Sequence, residues 1–314
     1  MPTGRREPAR LPRGRRAGNS ALGTARRPGL LPQGMTIAGP IGIAGLGLDA
    51  TAEPAAQTAA ATRLAELGYQ TLWLPGGQGN NLAQISGIVR ATTDLRVASG
   101  IVPVLQVPAA EVAATYAALE VDHPGRFVVG LGGAHGPKPF PALNAYLDTL
   151  DTEAPVVPAS ARILAALGPR MLNLARDRAA GAYPYLVTPD YVAGARALLG
   201  AGPTLAVLVP VIPLADPGAA RELARASTGF FTTVPGYRAN FARMGFADAD
   251  ITELRDAFVD GITVWGDLES IVARVAEFHA AGADQVVLGL RLPAEAAASE
   301  TAAWQARLAE ALLS

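Results

Sequence analysis

The chain has 314 residues, of which 50% are hydrophobic and 17% are charged, and it contains no cysteine. This composition predicts a globular protein with a large core, and it excludes disulfides, thiolate metal sites and a cysteine nucleophile. The three histidines, His123, His135 and His279, are too scattered along the chain to indicate a zinc cluster, so we expect no metal.

The first 34 residues differ from the rest in charge. They contain eight arginines and one glutamate, which gives them a net charge of +7 and leaves −8 for the remainder. We predict that residues 1–34 form a disordered basic extension and that residues 35–314 form one folded domain. A basic arm can bind nucleic acid, but no interleaved basic and aromatic residues continue such a site in the body, so we expect no nucleic-acid partner.

No apolar run reaches the roughly 18 residues needed to cross a bilayer. The longest candidate, "TLAVLVPVIPLA", has twelve residues, two of which are proline. We therefore expect a cytoplasmic protein with no membrane partner.

From Pro40 onward, short β-rich runs alternate with Ala-, Leu- and Arg-rich runs that have helical periodicity, as in consecutive βαβ units. Several of the β-rich runs are continuously apolar, which is typical of strands buried on both faces. We predict an α/β fold, a (β/α)8 TIM-type barrel, and keep an open doubly wound sheet as the alternative. The eight strand candidates are "PIGIAGL" at 40, "QTLWL" at 70, "LRVASGIV" at 95, "RFVVGLG" at 126, "ARILAAL" at 161, "AYPYLV" at 182, "TLAVLVPV" at 204 and "DQVVLGL" at 284.

The interval between the seventh and eighth strand candidates is unusually long. It runs from Asp216 to Gly282 and includes the aromatic-rich piece "TGFFTTVPGYRANFARMGF". We predict a helical insertion between strands 7 and 8. It is either a lid or substrate wall at the barrel mouth, or an extra helical pair that packs on the outside.

The third strand candidate weakens itself at its end, in "LRVASGIVP". Glycine gives up side-chain packing and proline removes a ladder donor, so one interpretation is a frayed strand end. The other is that the small residues Ala98, Ser99 and Gly100 let a planar ligand approach the main chain.

Two later strand ends have the pattern of helix N-termini. In "LGPRMLNLARDRAA", Gly168 allows a tight turn, Pro169 suits the first helical position, and amides from Arg170 and Met171 onward face the mouth. This arrangement predicts a phosphate site with Arg170 available for charge, although an ordinary strand-to-helix turn has the same pattern. In "VTPDY", Thr188 is predicted to be an N-cap whose hydroxyl can also reach the ligand's tail.

Four motifs occur in an order that resembles a known family: "LAELGYQTLWLP", "HPGRFVVGLGGAHG", "RILAALGPRMLNLARDRAAGAYPYLVTP" and "YRANFARMGFADAD". Together they resemble the luciferase-like monooxygenase superfamily, in particular its actinobacterial branch of coenzyme F420-dependent oxidoreductases. The resemblance extends from about residue 38 to residue 292 and implies an eight-stranded barrel that binds coenzyme F420, or alternatively FMN, at its C-terminal mouth.

The resemblance also implies roles for particular residues. The peptide bond from Ser99 to Gly100 aligns with a bulge, often containing a non-prolyl cis bond, that backs the flavin ring. Gly132 and Gly133 fall in the cofactor site, and His135 stands where some members have an acid/base or substrate-contacting residue. His123 and His279 are expected to be structural.

The implied activity is hydride transfer between coenzyme F420 and a small organic substrate. One alternative is an FMN-dependent monooxygenase fed by a partner reductase, and another is a non-catalytic flavin-binding barrel. The segment "WLPGGQGNN" has neither the acid nor the histidine that many deazaflavin-dependent dehydrogenases carry after strand two, so oxidation of a sugar phosphate is not expected. A homodimer is left open.

Overall fold

The computed structural model of the chain describes residues 37–45, 53–76, 79–133 and 139–314. The strands are β1 (Ile41–Ala44), β2 (Thr71–Leu74), β3 (Arg96–Ser99), β4 (Val102–Pro103), β5 (Phe127–Gly132), β6 (Arg162–Leu164), β7 (Gly181–Ala182), β8 (Thr204–Ile212), β9 (Val264–Trp265) and β10 (Gln285–Leu290). The α-helices are α1 (Pro54–Glu66), α2 (Leu82–Ala91), α3 (Ala109–Asp122), α4 (Pro139–Thr152), α5 (Pro169–Arg178), α6 (Pro189–Leu199), α7 (Pro217–Thr228), α8 (Pro235–Arg243), α9 (Asp248–Thr252), α10 (Asp256–Ile262), α11 (Leu268–Ala280) and α12 (Ala298–Leu313).

The strands form a closed parallel barrel in the order β1-β2-β3-β5-β6-β7-β8-β10, and β10 pairs with both β8 and β1. Each predicted strand is present, and closure by β10 confirms the (β/α)8 barrel over the open sheet. The short β4 continues β3 and pairs with β5, while β9 pairs with the end of β8. No helix in the described ranges is long and apolar enough to cross a membrane.

Local sequence explains where many helices begin. Proline occupies an early helical position in α1, α5, α6, α7 and α8, where its missing N–H costs nothing. Thr188, Asp216 and Asp267 cap α6, α7 and α11 by accepting an amide hydrogen from the first turn. These starts follow strand ends, so the helix N-termini of α5 and α6 lie at the carboxyl-end mouth of the barrel.

Strand alternation separates two cores. On β10, Val286 and Leu288 pack outward against the helices, whereas Val287 belongs to the cluster inside the barrel. Inside, the rings of Trp73 and Tyr183 stack with centroids 3.9 Å apart and planes within 7°. Both side chains are buried, so they fill the barrel interior below the mouth.

The long insertion between β8 and β10 contains α7 to α10, β9 and α11. Phe241, Phe258 and Ile251 form a small core there together with Leu186 and Ile212 from the barrel. The insertion therefore packs on the barrel as an extra helical layer, and its aromatic segment also reaches the mouth, as described below. The packing on the outside of the barrel agrees with the second predicted role, and the role of lid or substrate wall stays a prediction. The predicted extension, residues 1–34, lies outside the described residues.

Candidate active site at the barrel mouth

The end of the third strand carries a β-bulge. Ala98 of β3 pairs with Val128, and Val102 of β4 pairs with Leu131. Between these two pairs, three residues (99–101) lie opposite only two residues of β5 (129–130). An extra residue on one strand is the defining property of a bulge. The strand is therefore bulged rather than frayed, and it resumes pairing as β4.

The Ser99 side chain holds the bulge together. Its hydroxyl donates to the Gly130 carbonyl at 2.9 Å and accepts from the Gly130 amide at 2.8 Å, so it replaces the ladder bonds that the bulge removes. The side chain is fully buried. Ser99 thus has a backbone-positioning role that the sequence did not reveal.

The position of the non-prolyl cis bond corrects the prediction. The cis bond joins Gly100 to Ile101 and not Ser99 to Gly100. The reason lies in the pairing with β2: the Gly100 amide still donates to the Leu74 carbonyl at 2.8 Å, so the chain follows the sheet through Gly100 and departs only after it.

The space beside Gly100 also differs from the expectation of an approaching ligand ring. A Cβ at Gly100 would lie 3.4 Å from the Tyr183 ring and 3.6 Å from the Trp73 ring, both of which are ordinary contacts. The stacked pair therefore occupies the side of Gly100 that faces the barrel interior. The bulge can meet a ligand through Ile101 instead.

Gly132 and Gly133 pack against this bulge. A Cβ at Gly132 would lie 2.7 Å from the Ala165 Cβ and 3.1 Å from the Ile101 side chain, so only glycine fits without a shift. Gly133 has a positive φ of 72°, and its Cβ would lie 3.2 Å from Pro103. The two glycines keep the mouth side of β5 free of side chains directly beside Ile101.

The predicted phosphate site is a helix N-terminus, as expected. Gly168 is the N-cap of α5 and Pro169 is its first residue. The Met171 amide donates to the Gly168 carbonyl, whereas the amides of Gly168 and Arg170 have no acceptor among the described residues. Arg170 is exposed and its guanidinium lies over the Phe140 ring at 4.7 Å from the centroid. As far as the described residues show, this helix start has two amides without an acceptor and one exposed cation, which are the groups that bind anions at helix N-termini.

A second cation at this end was missed from the sequence. Arg243, the last residue of α8, has its Nη2 3.3 Å from the position of a Cβ on Gly168. The same atom donates to Asn240 Oδ1 at 3.3 Å, and no carboxylate of the described residues pairs with it. No local pattern marks Arg243, because its contact with Gly168 joins the insertion to α5.

The turn that begins α6 is tied to the turn that begins α5. The Thr188 hydroxyl caps α6 by accepting from the Tyr191 amide at 3.2 Å and lies 4.0 Å from Met244 Sδ. The Tyr191 hydroxyl donates to the Leu167 carbonyl at 2.7 Å. Burial raises the pKa of Tyr191, and the charge of Arg243 opposes that shift. Thr188 therefore lies on the same rim as Gly168 and Arg243.

A third arginine, also missed from the sequence, lies across the mouth. Arg291 directly follows β10, and its Nη2 donates to the Tyr185 hydroxyl at 3.1 Å. Burial raises the pKa of Tyr183 well above its usual range; Tyr185 and Tyr237 add to this, while Arg291 opposes it. Tyr185, Tyr237 and Arg291 therefore lie close to Tyr183, which is one of the two stacked rings inside the barrel.

The predicted acid/base residue His135 lies outside the described residues, so its role stays a prediction. His123 ends α3 before β5, at the opposite end of the barrel from the mouth. His279 is on α11, where its Nδ1 contacts the Ala283 carbonyl at 3.0 Å. Both of these positions agree with structural roles.

An eight-stranded barrel with its polar groups and helix N-termini at the carboxyl ends of the strands has the architecture of barrel enzymes. The family model described as luciferase-like monooxygenase matches residues 40–146 and 145–285. The chain belongs to this family, which comprises oxidoreductases and monooxygenases. No curated protein matches the sequence significantly.

Solved structures with the same fold have low sequence identity to the chain. The coenzyme F420-dependent tetrahydromethanopterin reductase from Methanopyrus kandleri has a TM-score of 0.64 at 17% identity, covering 87% of this chain and 98% of its own. An F420-dependent secondary alcohol dehydrogenase in complex with an F420-acetone adduct has a TM-score of 0.56 at 16% identity, with 76% and 90% covered. The oxygenating constituent of 3,6-diketocamphane monooxygenase from Pseudomonas putida, in complex with FMN, has a TM-score of 0.58 at 13% identity, with 88% and 98% covered.

Proposed function

We propose that the protein transfers a hydride between coenzyme F420 and a small organic substrate at the barrel mouth. The observation that carries the proposal is that a bulged strand end and a helix N-terminus with two nearby arginines lie on the same rim. A flat ring needs an apolar surface to lie against, and a phosphate needs cations and unpaired amides.

The residues present fit a flavin-type cofactor. The Ile101 side chain on the bulge packs over Gly132 and Gly133, so a planar ring at this strand end would lie against Ile101. Gly168 lies against the Arg243 guanidinium, and any side chain at Gly168 would press on it. The ring end and the phosphate end of a cofactor thus each have a matching set of residues.

Within this proposal, the deazaflavin, when bound, supplies a centre that accepts or donates a hydride. Ser99 holds the shape of the bulge, and Arg170, Arg243 and the open α5 amides bind the phosphate. Thr188 lies on the same rim for contact with the cofactor tail, as does Met171. His135 remains our candidate for holding or moving a proton.

The choice of coenzyme F420 over FMN rests on the motif resemblance, and FMN with a partner reductase is the second candidate because one similar structure holds FMN. The absence of cysteine fits a reducing compartment, so we include a cytoplasmic location in the proposal. Mass spectrometry of the copurified cofactor separates the two candidates. Oxidation of the reduced cofactor in the presence of an added electron acceptor would distinguish both enzyme candidates from a barrel that only binds flavin.

The anion site gives the first prediction. Replacing Arg170 or Arg243 by Ala should weaken cofactor binding roughly tenfold each, because charge-assisted hydrogen bonds are worth about 1.5 to 3 kcal/mol and Arg170 is exposed. Titration with coenzyme F420 and with FMN measures the loss, and circular dichroism checks the fold.

Arg176 provides a matched control. It is on the same helix but in its last turn, where it pairs with the neighbouring Asp177, so Arg176→Ala should leave cofactor affinity unchanged. Unchanged affinity in both Arg170→Ala and Arg243→Ala would remove this end of the barrel from the cofactor site.

A further inference from the structure

We propose that Arg291 and Tyr185 bind the carboxylate of an aromatic acid whose ring lies along Phe231 and Phe230. The inference rests on the proposed function, since it names the substrate class for the same mouth. It is tested below by ligand binding without cofactor, so the two can fail separately.

Strand alternation directs Arg291 toward the mouth. Val287 faces the barrel interior, and every second residue after it along β10 shares that face, which places Gly289 and then Arg291 on the inner side. The Arg291 amide donates to the Val211 carbonyl at 2.7 Å, so the ladder still fixes its backbone. The guanidinium thus starts from an anchored position above the interior pair.

The hydrogen bonds of Arg291 leave charge available. Its Nη1 makes only long contacts, 3.3 Å each, to the carbonyls of Gly289 and Leu290, and Nη2 donates to the Tyr185 hydroxyl. Within the described ranges no carboxylate pairs with it. A partly buried cation that has no counter-ion in the described part of the chain favours an anionic ligand.

Tyr185 adds a donor with a fixed direction. Arginine has five donors and no acceptor, so the Tyr185 hydroxyl must accept from Arg291 and send its own proton elsewhere. None of the described residues accepts that proton. The guanidinium and the hydroxyl together therefore offer converging donors, which suit the two oxygens of a carboxylate.

An apolar surface begins at the same tyrosine. The Phe231 ring meets Tyr185 edge-on at 5.3 Å between centroids, and the Phe230 ring meets Phe231 at 5.6 Å. Phe230 is 69% exposed. The hydroxyls of Thr232 and Thr233 donate to the carbonyls of Gly229 and Phe230, so these two donors are already used within the segment. A flat ring attached to the carboxylate would pack along these phenylalanines.

The test uses benzoate and naphthoate as probes and benzamide as the uncharged counterpart. Calorimetric titration of the whole chain should show benzoate binding more tightly than benzamide. Arg291→Gln should lower benzoate affinity about ten- to a hundredfold, and Tyr185→Phe roughly fivefold. Arg307→Gln on α12, whose guanidinium lies over the Trp304 ring, is the matched control and should change nothing.

Two further arms make the outcome decisive. Phe230→Ser, at an exposed position that cannot disturb the core, should weaken naphthoate more than benzoate. Coenzyme F420 should bind Arg291→Gln as it binds the unaltered protein. Equal affinity for benzoate and benzamide, or benzoate binding insensitive to both Arg291→Gln and Tyr185→Phe, overturns the inference. Loss of cofactor affinity in Arg291→Gln assigns this arginine to the cofactor instead and also overturns it.

Discussion

Ser99 shows how a single hydroxyl can decide the course of a strand. A bulge leaves backbone groups of the neighbouring strand without partners, and here the amide and carbonyl of Gly130 are both satisfied by Ser99 Oγ. The site is fully buried, so water does not reach these groups in the serine's place.

Replacing Ser99 by Ala should therefore be costly. It leaves two buried backbone groups unpaired, at about 1 to 3 kcal/mol each, so we expect a loss of about 2 to 6 kcal/mol in the free energy of unfolding. Urea denaturation measures it. Ser227→Ala is the control, since that partly buried hydroxyl only donates to Ala224 on its own helix and should cost less than about 0.5 kcal/mol. Equal losses for the two variants would show that the Ser99 hydroxyl does not hold the bulge.

The sequence predicted the position of this bulge, but it did not predict which side chains pack against it. The run of small residues at Ala98 to Gly100 is a local signal, and it marks the correct strand end. The side chains that lie against Gly100 come from β2 and from the end of β7, and the order of the chain contains no sign of that contact. Arg243 was missed for the same physical reason.

At the scale of elements, one ion pair links the start of β6 to the end of α4. Arg162 is 0% exposed, and its Nη2 lies 2.7 Å from Asp151 Oδ1. Its Nε and Nη1 have no partner among the described residues, and burial lowers the pKa of the guanidinium. Asp151 also pairs with Arg178 of α5, so this carboxylate joins α4, β6 and α5 at the barrel's lower end.

Asp151 should make stability depend on acid pH. Burial alone would raise its pKa, but hydrogen bonds and charges from Arg178 and Arg162 outweigh that and lower it. A lowered folded-state pKa means that the stabilisation is present above the unfolded value of about 3.9 and is lost as pH falls through the folded value. Asp151→Asn should cost about 2 kcal/mol at neutral pH, after discounting for the 42% exposure of Asp151.

The measurement is denaturation of both proteins across pH. The difference in the free energy of unfolding between the native chain and Asp151→Asn should become smaller as pH falls below about 3.9. Asp177 is an exposed carboxylate that pairs with its neighbour Arg176. Its variant Asp177→Asn should have almost the same free energy of unfolding as the native chain at every pH. A gap that stays constant into acid would rule out Asp151 as the titrating group.

Elements with long apolar runs or proline starts were predictable, whereas the short strands β4 and β9 were not. The strand β8 has nine residues, and α5 begins at the proline that the pattern indicated. In contrast, β4 and β9 have two residues each, and their pairing depends entirely on neighbours in the barrel. Such segments have no periodicity of their own for a sequence to display.

At the scale of the whole molecule, the contacts that close the barrel come from described residues that follow position 34. The strand β1 begins at Ile41 and pairs with β10 from Val286, and the carbonyls of Ala38, Gly39 and Pro40 also accept hydrogen bonds from the start of β10. We predict that a protein starting at Met35 keeps its melting temperature within about 2 °C. Thermal denaturation of the two lengths tests this, and a drop of several degrees would show that the basic extension stabilises the barrel.

The stacked pair of Trp73 and Tyr183 has a consequence for the order in which ligands bind and leave. Because these two buried rings fill the barrel interior beneath the mouth, a ligand cannot pass along the barrel axis. If the proposed cofactor and substrate bind in the mouth one above the other, the deeper molecule must bind first and leave last. Our proposal therefore predicts ordered kinetics in which the deeper ligand binds first.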